Sequence, residues 1–170
     1  MKFKKNSLSP KIDNLYQDIF DEVSVQLGLK EAMNNFHTIQ SNYIGNLEKY
    51  FHQKCKKEFE WIENNSISKT LHHPKDSVNE EEFKRKKEEL SQCITNNDHG
   101  YIDALEDFKG EYKKFNKEIN KHVQECCLLK DDKKVKDCIR EKYAQGATNL
   151  IGLFNKYEKK YNELNNKILL

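Results

Sequence analysis

The sequence predicts an all-α protein, an elongated antiparallel bundle of three to four long helices, and three observations lead there. Only six glycines and two prolines stand in 170 residues, far below the usual shares of about 7% and 5%. The chain therefore lacks the turn that a β-sandwich or barrel needs roughly every 8–12 residues. Apolar residues instead recur at three- and four-residue intervals over long stretches, the period of a helix that buries one face. Aromatics make up 11% of the chain and are spread evenly, which offers a core in spite of 34% charged residues and sets the chain apart from a disordered one. The length suits a single helical domain spanning 1–170.

The first helix, over 10–28, opens on Ser9-Pro10, with serine as cap and proline in the first helical position. Ile12, Leu15, Ile19 and Val23 form its apolar stripe, which ends near Leu27-Gly28. The second, over 29–64, carries Leu29, Ala32 or Met33, Phe36, Ile39, Tyr43, Leu47, Tyr50 or Phe51, Cys55, Phe59 and Ile62 at helical spacing. Asn64-Asn65-Ser66 through Pro74-Lys75-Asp76 is the clearest break, rich in turn formers. Ser77-x-x-Glu80 then reads as a capping box, with Glu80, Glu81 and Glu82 in the turn where the helix dipole favours negative charge. The third helix, over 78–126, carries Phe83, Leu90, Cys93 and Ile94, is interrupted at Asn96-Asn97-Asp98-His99-Gly100, and resumes at Tyr101, Leu105, Phe108, Tyr112, Phe115, Ile119 and Val123. Lys130-Asp131-Asp132-Lys133 is a tight polar connection, and a last helix over 133–166 carries Val135, Cys138 or Ile139, Tyr143, Ala147, Leu150, Phe154, Tyr157, Tyr161 and Leu164. Phe36, Tyr43, Leu47, Leu90, Leu105, Phe108, Phe115, Leu150 and Phe154 are the expected core. Gly146 and Gly152 inside a strong helix imply close approach of a neighbour, because glycine there costs about 1 kcal/mol.

Charge argues against several partners. The net +2 hides 28 lysines against two arginines, Arg85 and Arg140, and arginine is the residue of bidentate phosphate and base recognition. Lysines alternate with acids along the chain and form no basic face, so no nucleic-acid partner is expected. No apolar run approaches the ~18 residues of a membrane span, and Met1-Lys2-Phe3-Lys4-Lys5 leads into polar residues, without the apolar core of a secretory signal.

Catalytic chemistry finds no constellation here. His72-His73 stands alone beside Pro74, and His37, His52, His99 and His122 are scattered singly. Neither a Gly-rich phosphate loop nor a His-Glu-x-x-His pattern is present. No enzyme activity, cofactor, metal or small-molecule substrate is expected.

The cysteines are the sharpest feature. Cys55 and Cys93 are equidistant from residue 74, inside the Asn/Ser-rich break, and Cys126 or Cys127 stands opposite Cys138 about the 130–133 connection. Residues equidistant from the turn of an antiparallel pair lie opposite each other, so these sites suit the ~5.5 Å Cα separation of a disulfide. Five free cysteines acting as small buried hydrophobes fit the same sequence.

The order Gln53-Lys54-Cys55, Ser91-Gln92-Cys93, Gln124-Glu125-Cys126 and Lys136-Asp137-Cys138 at helix ends resembles the "family with sequence similarity 136" proteins, small helical mitochondrial proteins with four Cys-x3-Cys motifs on antiparallel helices. The likeness covers roughly residues 22–164. The second cysteine of each motif is replaced here, by Phe59, Asn97, Lys130 and Lys142, so at most one bridge per helix pair remains. The resemblance implies a non-catalytic accessory subunit or assembly factor of a protein complex facing the mitochondrial intermembrane space, of the respiratory chain or ATP synthase. Such a protein has other protein subunits as partners and sits peripheral to a membrane complex. Two other roles suit the composition: a cytoskeletal or ciliary helical scaffold in the cytoplasm or cilium with reduced cysteines, and a helical chaperone or adaptor.

Overall fold

A computed structural model describes residues 10–67 and 72–170, with 10–15 described by backbone alone. The described residues are all-α: α1 (Pro10–Leu27), α2 (Leu29–Lys54), α3 (Lys56–Asn65), α4 (Glu80–Asn97), α5 (Tyr101–Cys126) and α6 (Asp132–Ile168). The one extended pairing among them is an isolated bridge between Ser66 and Pro74. Around it the Ile67 N–H donates to His73 O at 2.9 Å and the Lys75 N–H to Asn65 O at 2.8 Å, closing the loop between α3 and α4.

Helix starts and stops follow local chemistry. Pro10 is the first helical residue of α1, as its fixed φ predicts; Ser9, Ile12 and Leu15 lie outside the described side chains. Gly28 separates α1 from α2 with φ +66°, the left-handed conformation that glycine adopts without a Cβ clash. The expected single helix over 29–64 is interrupted at Cys55, whose ψ of 35° departs from helical values. The helical hydrogen bonds still run through the kink, from Cys55 N to Phe51 O and from Phe59 N to Cys55 O. The expected capping box at Ser77 is not formed. Asn79 caps α4 instead, its Oδ1 accepting from the Glu81 and Glu82 N–H groups at 2.8 and 3.3 Å, because the helix begins at Glu80 and leaves Ser77 outside it. Asp98 and Gly100 (φ +85°) form the α4–α5 joint, where Asp98 Oδ1 accepts from the Tyr101 and Ile102 N–H groups at 2.8 and 3.1 Å. Asp131 does the same for α6 through the Lys133 N–H at 2.9 Å.

The chain divides into two compact units. The first comprises Met1–Gln40 and Ala104–Tyr161, and the second Ser41–Asp103 and Asn162–Leu170. In the first, α5 and α6 run antiparallel: Cys126 meets Cys138, Glu111 meets Lys156 at 2.7 Å and Asp107 meets Lys160 at 3.5 Å, and the Tyr161 hydroxyl donates to Ala104 O. Its core is aromatic. Phe36 is fully buried, 4.5 Å from Phe108 and 4.7 Å from Phe154 between ring centroids, and Tyr157 meets Phe108 edge-on at 5.3 Å. From α1, Ile19 and Val23 are buried while Tyr16 and Phe20 set their rings against Tyr143 at 4.8 and 5.4 Å.

In the second unit α3 runs antiparallel to α4, with Cys55 bonded to Cys93 near one end and the Trp61 ring 6.2 Å from Phe83 nearer the other. Tyr43, Leu47, Phe51, Ile62, Phe83 and Tyr101 are its buried apolar side chains. Of the expected core, Leu90, Leu105 and Phe115 are only half-buried. In α5 the buried line runs through Ala104, Phe108, Ile119 and Val123. The small Ala104 takes a place that apolar periodicity alone gave to Leu105.

Candidate functional site

The chemistry-bearing residues gather at the disulfide-pinned ends of two helix pairs. In the second unit the Cys55–Cys93 bond spans 38 residues and holds Cα atoms 6.0 Å apart. Cys55 is fully buried at the α2–α3 kink, while Cys93 is half-buried one turn before the end of α4. Two tyrosines from α2 hold the neighbouring joint. Tyr50 donates its hydroxyl to Asn97 O at 3.0 Å, a carbonyl at the helix end with no partner one turn on, and buried Tyr43 donates to Tyr101 O. Burial raises the Tyr50 hydroxyl above its ordinary range, with Tyr101 and Asp98 adding to the effect.

In the first unit the Cys126–Cys138 bond spans 12 residues, with Cα atoms 5.6 Å apart. Of the two adjacent cysteines, Cys126 faces the partner helix and is buried, and Cys127 is free and half-buried. Neighbouring helix positions point about 100° apart, so only one of the pair faces α6. Burial raises the Cys127 thiol, and burial, with Cys127 as a lesser cause, pushes the Tyr16 hydroxyl up to about 12.

Further along the same helix pair, the hydrogen bond to Lys156 holds the Glu111 carboxyl below its usual range, with Tyr157 as a second donor. Burial, then the bond to Glu111, raises the Tyr157 hydroxyl. These groups bind one another. A cavity of about 10 Å³, lined by Phe20, Val23, Phe115, Tyr143, Gly146 and Leu150 among others, lies within the first unit's core and is nearly all apolar.

The remaining candidates are structural or solvated. Gly146 is buried where an added Cβ would overlap Ile119 Cδ1, so its close neighbour is α5 of the same unit; Gly152 has nothing within 4 Å. His72 and His73 are exposed, and no group of three or more His, Cys, Asp or Glu among the described residues is placed to hold a metal ion. No described helix is long and apolar enough to cross a membrane. Sequence reasoning missed the Tyr43 and Tyr50 latches, which carry no local signal because their acceptors are backbone carbonyls 58 and 47 residues away.

No protein-family model, curated protein or solved structure matches the chain.

Proposed function

We propose that this chain is a non-catalytic structural subunit or assembly factor that presents helix faces to other protein subunits of a larger complex. We place it in the mitochondrial intermembrane space, peripheral to a membrane complex of the respiratory chain or ATP synthase. The observation that carries the reading is the pair of disulfides, one in each unit, each tying two helices near one end of the pair. Bonds of this kind persist in oxidising compartments, and their positions resemble the first cysteines of the helical Cys-x3-Cys proteins. A protein that works by holding its shape gains from such pins, because its polar composition leaves a lean core. In this reading the chain works as an antiparallel bundle of three to four long helices, α2 and α3 counting as one interrupted helix. Within the second unit, Tyr50 with Asn97 and Tyr43 with Tyr101 keep the register that Cys55 and Cys93 set about residue 74.

The test is a thiol count on the protein trapped with a maleimide mass tag in intact cells, without reduction. One tag per chain, on Cys127, together with co-migration on native gels with an assembly far larger than 20 kDa, is the expected result. Five tags would overturn the compartment and put a cytoplasmic or ciliary scaffold in its place.

A further inference from the structure

Cys126 and Cys138 are bonded where α5 turns into α6, and Cys127, next in sequence to Cys126, is a free thiol. Cys127 stands at a helix end that is already loosening. The Cys127 N–H still reaches Val123 O at 3.1 Å, but the Leu128 and Leu129 N–H groups fall back on Glu125 O and Cys126 O, three residues behind. Leu128 is 82% exposed and Leu129 44%, so no buried contact from these two anchors the last turn. A rotation of about 100° there exchanges the directions of adjacent side chains. Against that rotation stands α1. The Tyr16 ring rests on Tyr143 of α6, 4.8 Å between centroids. Buried Ile19 and Val23, and the Glu22–Arg140 ion pair at 3.5 Å, seat the rest of α1 on the same unit.

We propose that Cys126, Cys127 and Cys138 form an exchange set: the α5–α6 pair can be closed by Cys127–Cys138 as well as by Cys126–Cys138, and α1, seated on α6 at Arg140 and Tyr143 just past Cys138, selects the second. In the exchange, Cys127 gives its proton to solvent and its thiolate attacks Cys138 Sγ. The Cys127–Cys138 bond forms as the Cys126–Cys138 bond breaks, and Cys126 leaves as a thiolate that takes up a proton. One disulfide and one thiol stand on each side, so no oxidant is consumed. Burial of Cys127 keeps its thiolate scarce, which slows the step while α1 is in place. A protein partner that displaces α1 would release the exchange, so docking would be written into the covalent connectivity of the helix pair. The inference is independent of the compartment and of the role proposed above.

The experiment maps disulfides by non-reducing proteolysis and mass spectrometry on the purified full chain, incubated at pH 8.5 without oxidant and quenched with acid. The wild type should hold Cys126–Cys138 alone. Tyr16→Ala, checked for retained helicity by circular dichroism, should hold both isomers in comparable amounts, and Tyr16→Ala with Cys127→Ser should hold Cys126–Cys138 only. As a measurement that leaves α1 intact, Cys126→Ser oxidised with glutathione disulfide should close Cys127–Cys138. Two free thiols in that variant, or unchanged connectivity in a folded Tyr16→Ala, would overturn the proposal.

Discussion

Both units are helical and each carries one disulfide, yet they hold their helices together differently. In the first unit a continuous aromatic core runs through Phe36, Phe108, Phe154, Tyr157 and Tyr161, and its disulfide closes only 12 residues of chain. The second has a thinner set of buried side chains, uses tyrosine hydroxyls on backbone carbonyls at the α4–α5 joint, and closes 38 residues with its disulfide. Where apolar area is more plentiful, the covalent bond closes the shorter loop and adds somewhat less to what packing already fixes. Where it is scarce, directional hydrogen bonds and a long-range crosslink take a larger part, because the crosslink removes more freedom from the unfolded chain.

The largest expected effect comes from the first unit's core. Phe36→Ala removes a fully buried ring in contact with Phe108 and Phe154, and should destabilise by about 3–5 kcal/mol, measured by urea denaturation of the oxidised protein. A loss below about 1 kcal/mol would mean that the aromatic cluster does not carry the unit. The disulfides come next and in a definite order. Chain entropy gives about 4 kcal/mol for the Cys55–Cys93 loop and about 3 kcal/mol for the Cys126–Cys138 loop. Cys55→Ala with Cys93→Ala should therefore lower the urea midpoint more than Cys126→Ala with Cys138→Ala, and the reverse order would break the contrast between the units.

Alkaline titration separates the units by a different route. Tyr16, Tyr112, Tyr157 and Tyr161 in the first unit all have hydroxyls raised chiefly by burial, whereas the second has Tyr50. A raised folded-state value means that the unfolded chain deprotonates first. The stability these tyrosines contribute is thus fully present below about pH 10, the ordinary tyrosine value, and is lost as pH rises through the folded-state values, about 12 for Tyr16. Unfolding followed by tyrosinate absorbance and by the ellipticity of each unit's aromatic variants should show the first unit failing more steeply above pH 10. A flat response to pH 12 would contradict it. Smaller still is a pair of glycine changes in α6. Gly146→Ala drives a methyl group into Ile119 and should cost about 1–3 kcal/mol, whereas Gly152→Ala enters open space and should gain up to about 1 kcal/mol in helix propensity. Thermal melts of the two variants should move in opposite directions.

What the sequence made legible follows the range of the interaction. The 3.6-residue stripes place Phe36, Tyr43, Leu47, Phe108, Leu150 and Phe154 in the core, because periodicity is written locally and a helix converts it directly into a face. The helix break at 98–100 is equally local, in Asp98 and Gly100. The kink at Cys55 was not legible: the residues around it are ordinary helix formers, and the bond to Cys93 comes from a helix 38 residues away. Spacing about a turn is compatible with that bond but equally with free thiols. For the same reason the choice between Cys126 and Cys127 was open, since a one-residue difference in facing depends on where the neighbouring helix lies. The Leu90, Leu105 and Phe115 side chains show the opposite limit: an apolar residue at the edge of a stripe can be half-buried without breaking the period.

The smallest effect tests the one start signal that was misplaced. Ser77 and Glu80 have the spacing of a capping box, which requires serine at the cap and glutamate at the third helical position. The helix instead begins at Glu80, and Asn79 Oδ1 takes the Glu81 and Glu82 N–H groups. Asparagine caps at least as well as serine, and with the cap at 79 all three glutamates fall in the first turn, where the positive end of the helix dipole stabilises each of them. A cap at Ser77 would extend α4 by two residues and push the later glutamates deeper into the helix. Asn79→Ala should therefore cost about 1 kcal/mol, within the 0.5–2 kcal/mol usual for a lost cap, and Ser77→Ala should be close to neutral. Because α4 belongs to the second unit, where few side chains are buried, fraying of its first turn should also show as faster amide exchange at Glu81 and Glu82, with exchange in α5 and α6 beyond Ala104 unchanged. A larger loss from Ser77→Ala than from Asn79→Ala would move the helix start back to the position that its spacing suggests.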